Sequence, residues 1–96
     1  MAGVTLLVDE ARWPSRGRRW CHLVSDASLQ ELHDFADRLG IPRRAFQGDH
    51  YDLHEDGRAR AIELGAVPVP SRELLSRLRE AGLRLSPAAR RAGHWS

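Results

Sequence analysis

Short apolar runs separated by polar breaks predict a small number of β-strands. The run from Val4 to Val8 is rich in leucine and valine and ends in two acids, which is typical of a buried strand. Residues 20–24 form a second extended segment that places Trp20, His22 and Val24 on one face. Residues 45–53 are predicted to form a segment that passes from irregular to extended structure. A short strand at 66–70 carries two prolines, which favours the edge or end of a sheet.

Breaks and helices lie between these runs. Residues 9–20 contain Pro14 and Gly17 and are predicted to form a loop. Ser28 and Glu31 make a capping box in front of leucines at helical spacing, so a helix is predicted there and ends at Gly40. A second helix is expected over about 57–64, and a third after a Ser71 cap.

This order of elements predicts an α/β or α+β fold, because strands and helices interleave along a chain long enough for one core. We expect a single compact domain over residues 1–86, with a mixed sheet of three to four strands and two to three helices. Residues 87–96 form a basic tail, expected to be a loose helical turn or disordered.

Composition excludes several classes of protein. One cysteine, Cys21, rules out an internal disulfide and a multi-cysteine zinc site. No apolar run is long enough for a membrane span, and the start lacks the features of a signal peptide, so a cytoplasmic location is expected. All 15 basic residues are arginine, yet the net charge is only +2. The arginine excess indicates either phosphate recognition or a GC-rich coding bias.

Three histidines and two acids are candidates for a shared metal site. His50 and Asp52 are two residues apart in an extended segment, so their side chains share a face, whereas Tyr51 faces the other way. His33 lies at the margin of the first helix's apolar stripe, and His22 lies in mid-strand. Half-buried histidines need polar partners, and a divalent ion would satisfy all three, with Asp52 or Asp9 completing the site. Alternatively, each is an ordinary packed histidine or a polar loop residue.

The predicted loop is the other candidate site. Arginine beside tryptophan can bind phosphate and stack on a base, and Trp13 and Trp20 flank this stretch. Its candidate phosphate-binding residues are Arg12, Arg16, Arg18 and Arg19, with Arg58 from the second helix. The alternative is a solvated loop anchored by its tryptophans.

Five segments, "VDEARWP", "CHLVSD", "ELHDFADRLGI", "FQGDHYDL" and "RARAIELGAVPV", occur in this order. Over about residues 4–75 the chain resembles a family of short bacterial and phage proteins, the domain of unknown function numbered four thousand and thirty-one. The resemblance implies a shared polar site but no particular reaction. The family pattern includes the positions of Asp9, His22, His33, His50, Tyr51, Asp52, Arg58, Gly65 and Ala66. Glu10 is a mild departure from that pattern.

The leading expectation is a small metal-dependent enzyme, with zinc, manganese or iron held by His22, His33, His50 and Asp52. Tyr51 or Asp9 would transfer a proton, and the arginines would bind a phosphoester of a nucleotide or nucleic acid for hydrolysis. The rival is a non-catalytic module that binds nucleic acid or a nucleotide and has a structural histidine core. A third interpretation is a homodimer or a subunit of a larger complex.

Overall fold

The computed structural model describes residues 5–84, which form three helices and one five-stranded mixed sheet. The strands are β1 (Leu6–Val8), β2 (Trp13–Ser15), β3 (Arg18–Ser25), β4 (Tyr51–His54) and β5 (Val67–Pro68). The helices are α1 (Leu29–Arg38), α2 (Glu55–Glu63) and α3 (Ser71–Glu80), with a short 3-10 turn at Arg43–Ala45. The α+β fold class is confirmed, with one strand more than expected. The expected tail at 87–96 lies outside the described residues.

The long strand β3 organises the sheet. β3 pairs antiparallel with β1, β2 and β4. β5 pairs in parallel with β1 and is the last strand in the order β2-β3-β1-β5, at an edge of the sheet. The edge position predicted for the proline-containing strand is therefore confirmed. No helix among residues 5–84 is long and apolar enough to cross a membrane.

The loop predicted for residues 9–20 is wrong in its central part, where the chain forms a β-hairpin. Ser15 pairs with Arg18, which leaves Arg16 and Gly17 as a two-residue turn. Both have positive φ, 54° and 75°, and this is the backbone of a type I′ turn that matches strand twist. Pro14 is tolerated because β2 is an edge strand, where a missing amide donor costs no ladder bond.

The helix starts differ in detail from the sequence signals. Ser28 caps α1 as predicted, since its hydroxyl accepts from the Glu31 amide at 3.1 Å. The Glu31 carboxylate does not close the capping box, because it accepts from the hydroxyls of Ser25 and Thr5 at 2.6 and 2.7 Å. α2 begins at Glu55, capped by the His54 ring.

The two faces of the sheet have different cover. Leu32, Phe35 and Ala36 of α1 and Ala61 of α2 pack on the face that carries Cys21, Leu23, Tyr51 and Leu53. On the opposite face, Leu74 and Leu78 of α3 form a smaller cluster with Leu7 and Val24, and the partly buried Val67, Val69 and Leu83 pack against it. Around His22 this second face is bordered by polar side chains and by the Trp13 ring.

Candidate metal centre

Three potential ligands converge on the partly open face. His22 in β3 lies directly across from Asp52 in β4, and His50 immediately precedes β4. Each offers one ligand atom, and these atoms all lie within 4.8 Å of one another. The rings of His22 and His50 meet edge to face, with centroids 4.9 Å apart. Two imidazoles and a carboxylate form a donor set that suits zinc or iron(II).

Each histidine in this cluster is held by a buried carboxylate. His22 Nδ1 lies 2.8 Å from Asp9 Oδ2, and His50 Nδ1 lies 2.8 Å from Asp49 Oδ1. Asp9 is 1% exposed and Asp49 is 0% exposed. A carboxylate at Nδ1 keeps the proton on that nitrogen and leaves Nε2 with a lone pair, which is the usual support of metal-binding histidines.

One oxygen of Asp52 lacks a donor. Asp52 Oδ1 is buried and accepts no hydrogen bond from the described residues, although His50 Nε2 is only 3.2 Å away. When the proton of a neutral His50 is on Nδ1, toward Asp49, two lone pairs face each other across this contact. Either a second proton on His50 or a cation would relieve the conflict. The residues present therefore fit a divalent ion.

The environment of His50 favours a positive charge. Burial, the largest single influence, lowers the pKa of His50, but the hydrogen bond to Asp49, the close approach of Asp52 and the charges of both carboxylates together raise it above its usual 6.5. A metal ion at this point would take the place of the second proton, so proton and metal compete for the same nitrogen.

Asp9 joins three elements beneath the cluster. Its carboxylate accepts from the His22 amide at 2.6 Å and from the Ser71 hydroxyl at 2.8 Å, in addition to its contact with the His22 ring. Burial, the largest influence, raises the pKa of Asp9, but the bonds from His22 and Ser71 outweigh it and the pKa is lowered. The Ser71 hydroxyl, expected to cap α3, is used here instead. Asp9 thus supports His22 from behind.

The structure places His33 and Tyr51 on the other face of the sheet. His33 Nδ1 lies 2.8 Å from the Tyr51 hydroxyl, and the His33 ring meets Phe46 edge to face at 4.6 Å. His33 is 7% exposed and Tyr51 is 1% exposed. The expected convergence of three histidines is not seen, because α1 packs on the face to which Tyr51 points and neighbouring strand residues alternate.

Replacing His33 with alanine should therefore lower the free energy of unfolding without affecting metal binding. The change removes the hydrogen bond between the His33 ring and the buried Tyr51 hydroxyl, which costs about 1–3 kcal/mol. Urea unfolding measures the first effect, and zinc titration of the folded variant measures the second. A large loss of zinc affinity with unchanged stability would contradict this placement.

The arginine candidates do not gather at the cluster. Arg18 pairs with Asp56 and Glu55 at 2.7 and 3.2 Å, and Arg12 pairs with Glu10 at the surface. Arg16 lies in the hairpin turn, and the amide of Arg19 donates to Glu55. Arg58 Nε donates to the Asp9 carbonyl at 2.7 Å. The hairpin instead brings Trp13 to the site, with its ring centroid 4.5 Å from that of His22.

The site also contains residues that the sequence reasoning missed. Asp49 supports His50, Ser71 supports Asp9, and Arg84 NH1 lies 3.5 Å from Asp49 Oδ2. The sequence did contain a signal for Asp49. This acid follows a glycine and precedes His50, so its side chain can turn back onto the His50 ring. For Ser71 and Arg84 there was none, because both reach the site from the distant α3 region.

The comparisons with known proteins identify a family. The family described as "Protein of unknown function (DUF4031)" matches residues 6–81. The chain belongs to the DUF4031 family. No curated protein and no solved structure matches it. The matched range of this DUF4031 chain includes the whole cluster, both supporting carboxylates and Ser71, whereas Arg84 lies beyond it.

Cys21 of the DUF4031 chain faces away from the centre, into the core. Its side chain is fully buried, and burial, followed by the charge of Asp9, raises the pKa of the thiol to about 12. At pH 8 only about one thiol in ten thousand would be ionised. Native protein should therefore resist iodoacetamide at pH 8 and react only after unfolding, as mass spectrometry would show. Rapid labelling of folded protein would contradict the burial.

Proposed function

We propose that this protein is a small metal-dependent enzyme, a hydrolase that acts on a phosphoester. His22, His50 and Asp52 would hold one divalent ion, zinc, manganese or iron. The observation that carries the proposal is the pair of buried carboxylates, Asp9 and Asp49, at Nδ1 of the two histidines. A polar surface cluster does not need such supports, whereas metal-binding histidines usually have them.

Three protein ligands leave room for other ligands, which is the arrangement of catalytic rather than structural zinc sites. The ion would supply Lewis-acid activation of water and of the substrate's phosphoryl oxygen. In hydrolysis the water oxygen forms a bond to phosphorus and the ester P–O bond breaks, and the leaving oxygen takes the electron pair and then a proton from solvent. The proton lost by the water needs a nearby base. Asp52 is the best placed acceptor, because its side chain is 34% exposed and borders the open face. Tyr51, the earlier candidate, is buried on the other face.

The substrate part of the proposal begins from the predicted nucleotide or nucleic acid. Arg12, Arg16 and Arg19 are exposed on the hairpin beside Trp13, which lies against His22. An exposed guanidinium can bind phosphate without losing a structural role, whereas Arg18 and Arg58 are already committed to protein partners. We place the enzyme in the bacterial cytoplasm.

The rival function is a binding module without catalysis, alone or as a subunit of a larger complex. One observation favours it: Trp13 and Trp20 are cross-strand partners on an arginine-bearing hairpin, a surface that suits stacking and phosphate contact. In that case retention on single-stranded DNA should fall with salt and be lost when Arg16 and Arg19 are replaced by glutamine.

A reconstitution assay separates these functions. Untagged protein is stripped with a chelator, reloaded with zinc, manganese or iron(II), and tested on aryl phosphomonoesters and phosphodiesters. We expect hydrolysis that requires one of the ions and is abolished in Asp52→Asn. Asp34→Asn is the matched control, because Asp34 is an exposed acid on α1. Metal binding without hydrolysis of either ester class would reject the hydrolase.

A further inference from the structure

A cavity joins the metal-ligand cluster to the inner side of α3. It has a volume of about 190 Å³ and lies between the sheet and the helix. The polar end of the cavity is lined by Asp9, His22, Asp49, His50, Ser71 and Arg84, and the apolar end by Val24, Leu74, Leu75 and Leu78. A bound molecule would therefore touch two of the three potential metal ligands, His22 and His50, and an apolar wall at the same time.

The volume of the cavity limits what enters it. An engineered apolar cavity of about 150 Å³ is sufficient for benzene, so this one holds a single ring or a short branched alkyl group. Sites that enclose larger molecules have volumes of about 300–1,000 Å³. A whole nucleoside belongs to that larger class, so only part of it could enter the space beside α3.

Among residues 5–84, Arg84 is the cation that lines the polar end of the cavity. Arg84 NH1 is 3.5 Å from Asp49 Oδ2, a long contact, and the Arg84 side chain is 37% exposed. Because Asp49 also has His50 at 2.8 Å, Arg84 can turn one nitrogen toward a ligand oxyanion without leaving Asp49 unpaired. Because the carboxylates of Asp9 and Asp49 line the same end, an anionic group would lie between Arg84 and an ion held by the cluster, with an apolar group against the leucines.

We propose that this cavity is the substrate pocket, and that the substrate is a phosphomonoester of a small apolar alcohol or phenol. The phosphate lies at the His22–His50 end within reach of Arg84, and the ring or alkyl group lies against Leu74, Leu75 and Leu78. This inference rests on the proposed function and narrows it, because it selects a small molecule over a nucleotide or nucleic acid.

Binding of non-hydrolysable probes tests the pocket without relying on activity. Phenylphosphonate, inorganic phosphate and uridine 5′-monophosphate are titrated calorimetrically into full-length protein, with zinc and with a chelator. Phenylphosphonate should bind roughly ten- to a hundredfold more tightly than phosphate, as expected for burying one phenyl group. Uridine 5′-monophosphate should bind no more tightly than phosphate.

Two variants locate the binding site. Leu75→Trp fills the cavity from a half-buried helix position and should reduce phenylphosphonate binding to the level of phosphate. Ile41→Trp is the matched control, because Ile41 lines a different groove beside Asp52. If Leu75→Trp does not fold, Arg84→Gln at the exposed end provides the second test. Arg84→Gln should weaken the binding of phosphate and of phenylphosphonate by the same factor, so that the ratio of the two affinities is unchanged.

The outcomes also separate this inference from the proposed function. If zinc binds but phenylphosphonate binds no more tightly than phosphate, the assignment of the cavity as the substrate pocket is wrong, whereas the metal site is not contradicted. If uridine monophosphate binds most tightly and Leu75→Trp does not affect it, the substrate is a nucleotide outside the cavity and the inference is overturned. If zinc, manganese and iron(II) all fail to bind, the proposed function is rejected, and this inference, which rests on it, is rejected with it.

Discussion

Replacing His50 with alanine should weaken zinc binding by more than about a hundredfold. Loss of a supporting residue alone typically costs 10- to 100-fold in metal affinity, and His50 is a ligand rather than a support. Its ring also lies between Asp49, at 2.8 Å, and Asp52, at 3.2 Å, so its removal takes a nitrogen ligand from the middle of the cluster. Competition with a chromophoric chelator gives the two dissociation constants.

The matched control for this experiment is the third histidine. His33→Ala removes an imidazole of the same size from the opposite face, where it contacts Tyr51 and Phe46. Zinc affinity should be unchanged there within about twofold. Because His50→Ala also removes the hydrogen bond between the His50 ring and Asp49, His50→Gln is measured alongside it, since the glutamine amide can still donate to Asp49. Equal zinc affinity in wild-type and His50→Gln protein would remove His50 from the site.

The second large effect is expected at Asp9. Asp9→Asn replaces an acceptor oxygen with an amide group that cannot accept from the His22 ring or the Ser71 hydroxyl. Hydrogen bonds to a charged group contribute about 1.5–3 kcal/mol, and we expect a loss of that size in the free energy of unfolding. Zinc affinity should also fall about 10- to 100-fold, because the His22 ring loses its orientation.

The pH dependence of stability gives Asp9 a separate signature. The pKa of Asp9 is lower in the folded protein than its usual 3.8, so the unfolded chain takes up protons first as the pH falls. The stabilisation by Asp9 is complete above about pH 5 and is lost as the pH falls through its folded-state pKa. Asp9→Asn should flatten this part of the profile.

The control for Asp9 is Asp26→Asn. Asp26 is a half-buried acid that pairs with Arg77 of α3 at 2.8 Å, away from the cluster. That variant should lose some stability but retain zinc affinity. A similar loss of zinc affinity in both variants would mean that the effect comes from a loosened α3 rather than from the support of His22.

Part of this site was predictable from local pattern. Strand alternation placed His22 on the face opposite Cys21 and Leu23, and the two-residue spacing placed His50 with Asp52 and separated them from Tyr51. These are short-range properties of an extended chain, so they follow from the sequence directly. The hairpin was missed because its turn is Arg16-Gly17, and arginine is not a residue that normally signals a left-handed turn.

The rest required long-range information. Packing between elements far apart in the chain decides which face of the sheet α1 covers. Because α1 covers the face opposite His22, its residue His33 is separated from His22. Likewise, the β3–β4 register that sets His22 opposite Asp52 depends on pairing across some thirty residues of intervening chain. The use of Ser71 by Asp9, at a separation of 62 residues, could not be seen in any local motif.

The central claim is that His22, His50 and Asp52 hold one metal ion, and X-ray absorption of zinc-loaded untagged protein tests it most directly. We predict one zinc per chain, with two imidazole nitrogens at about 2.0–2.1 Å, the remaining ligands oxygen, and no sulfur. The imidazole signal should fall to one in His50→Gln and stay at two in His33→Ala. Failure to bind zinc, manganese or iron(II) stoichiometrically, or an imidazole signal that depends on His33, would contradict the account.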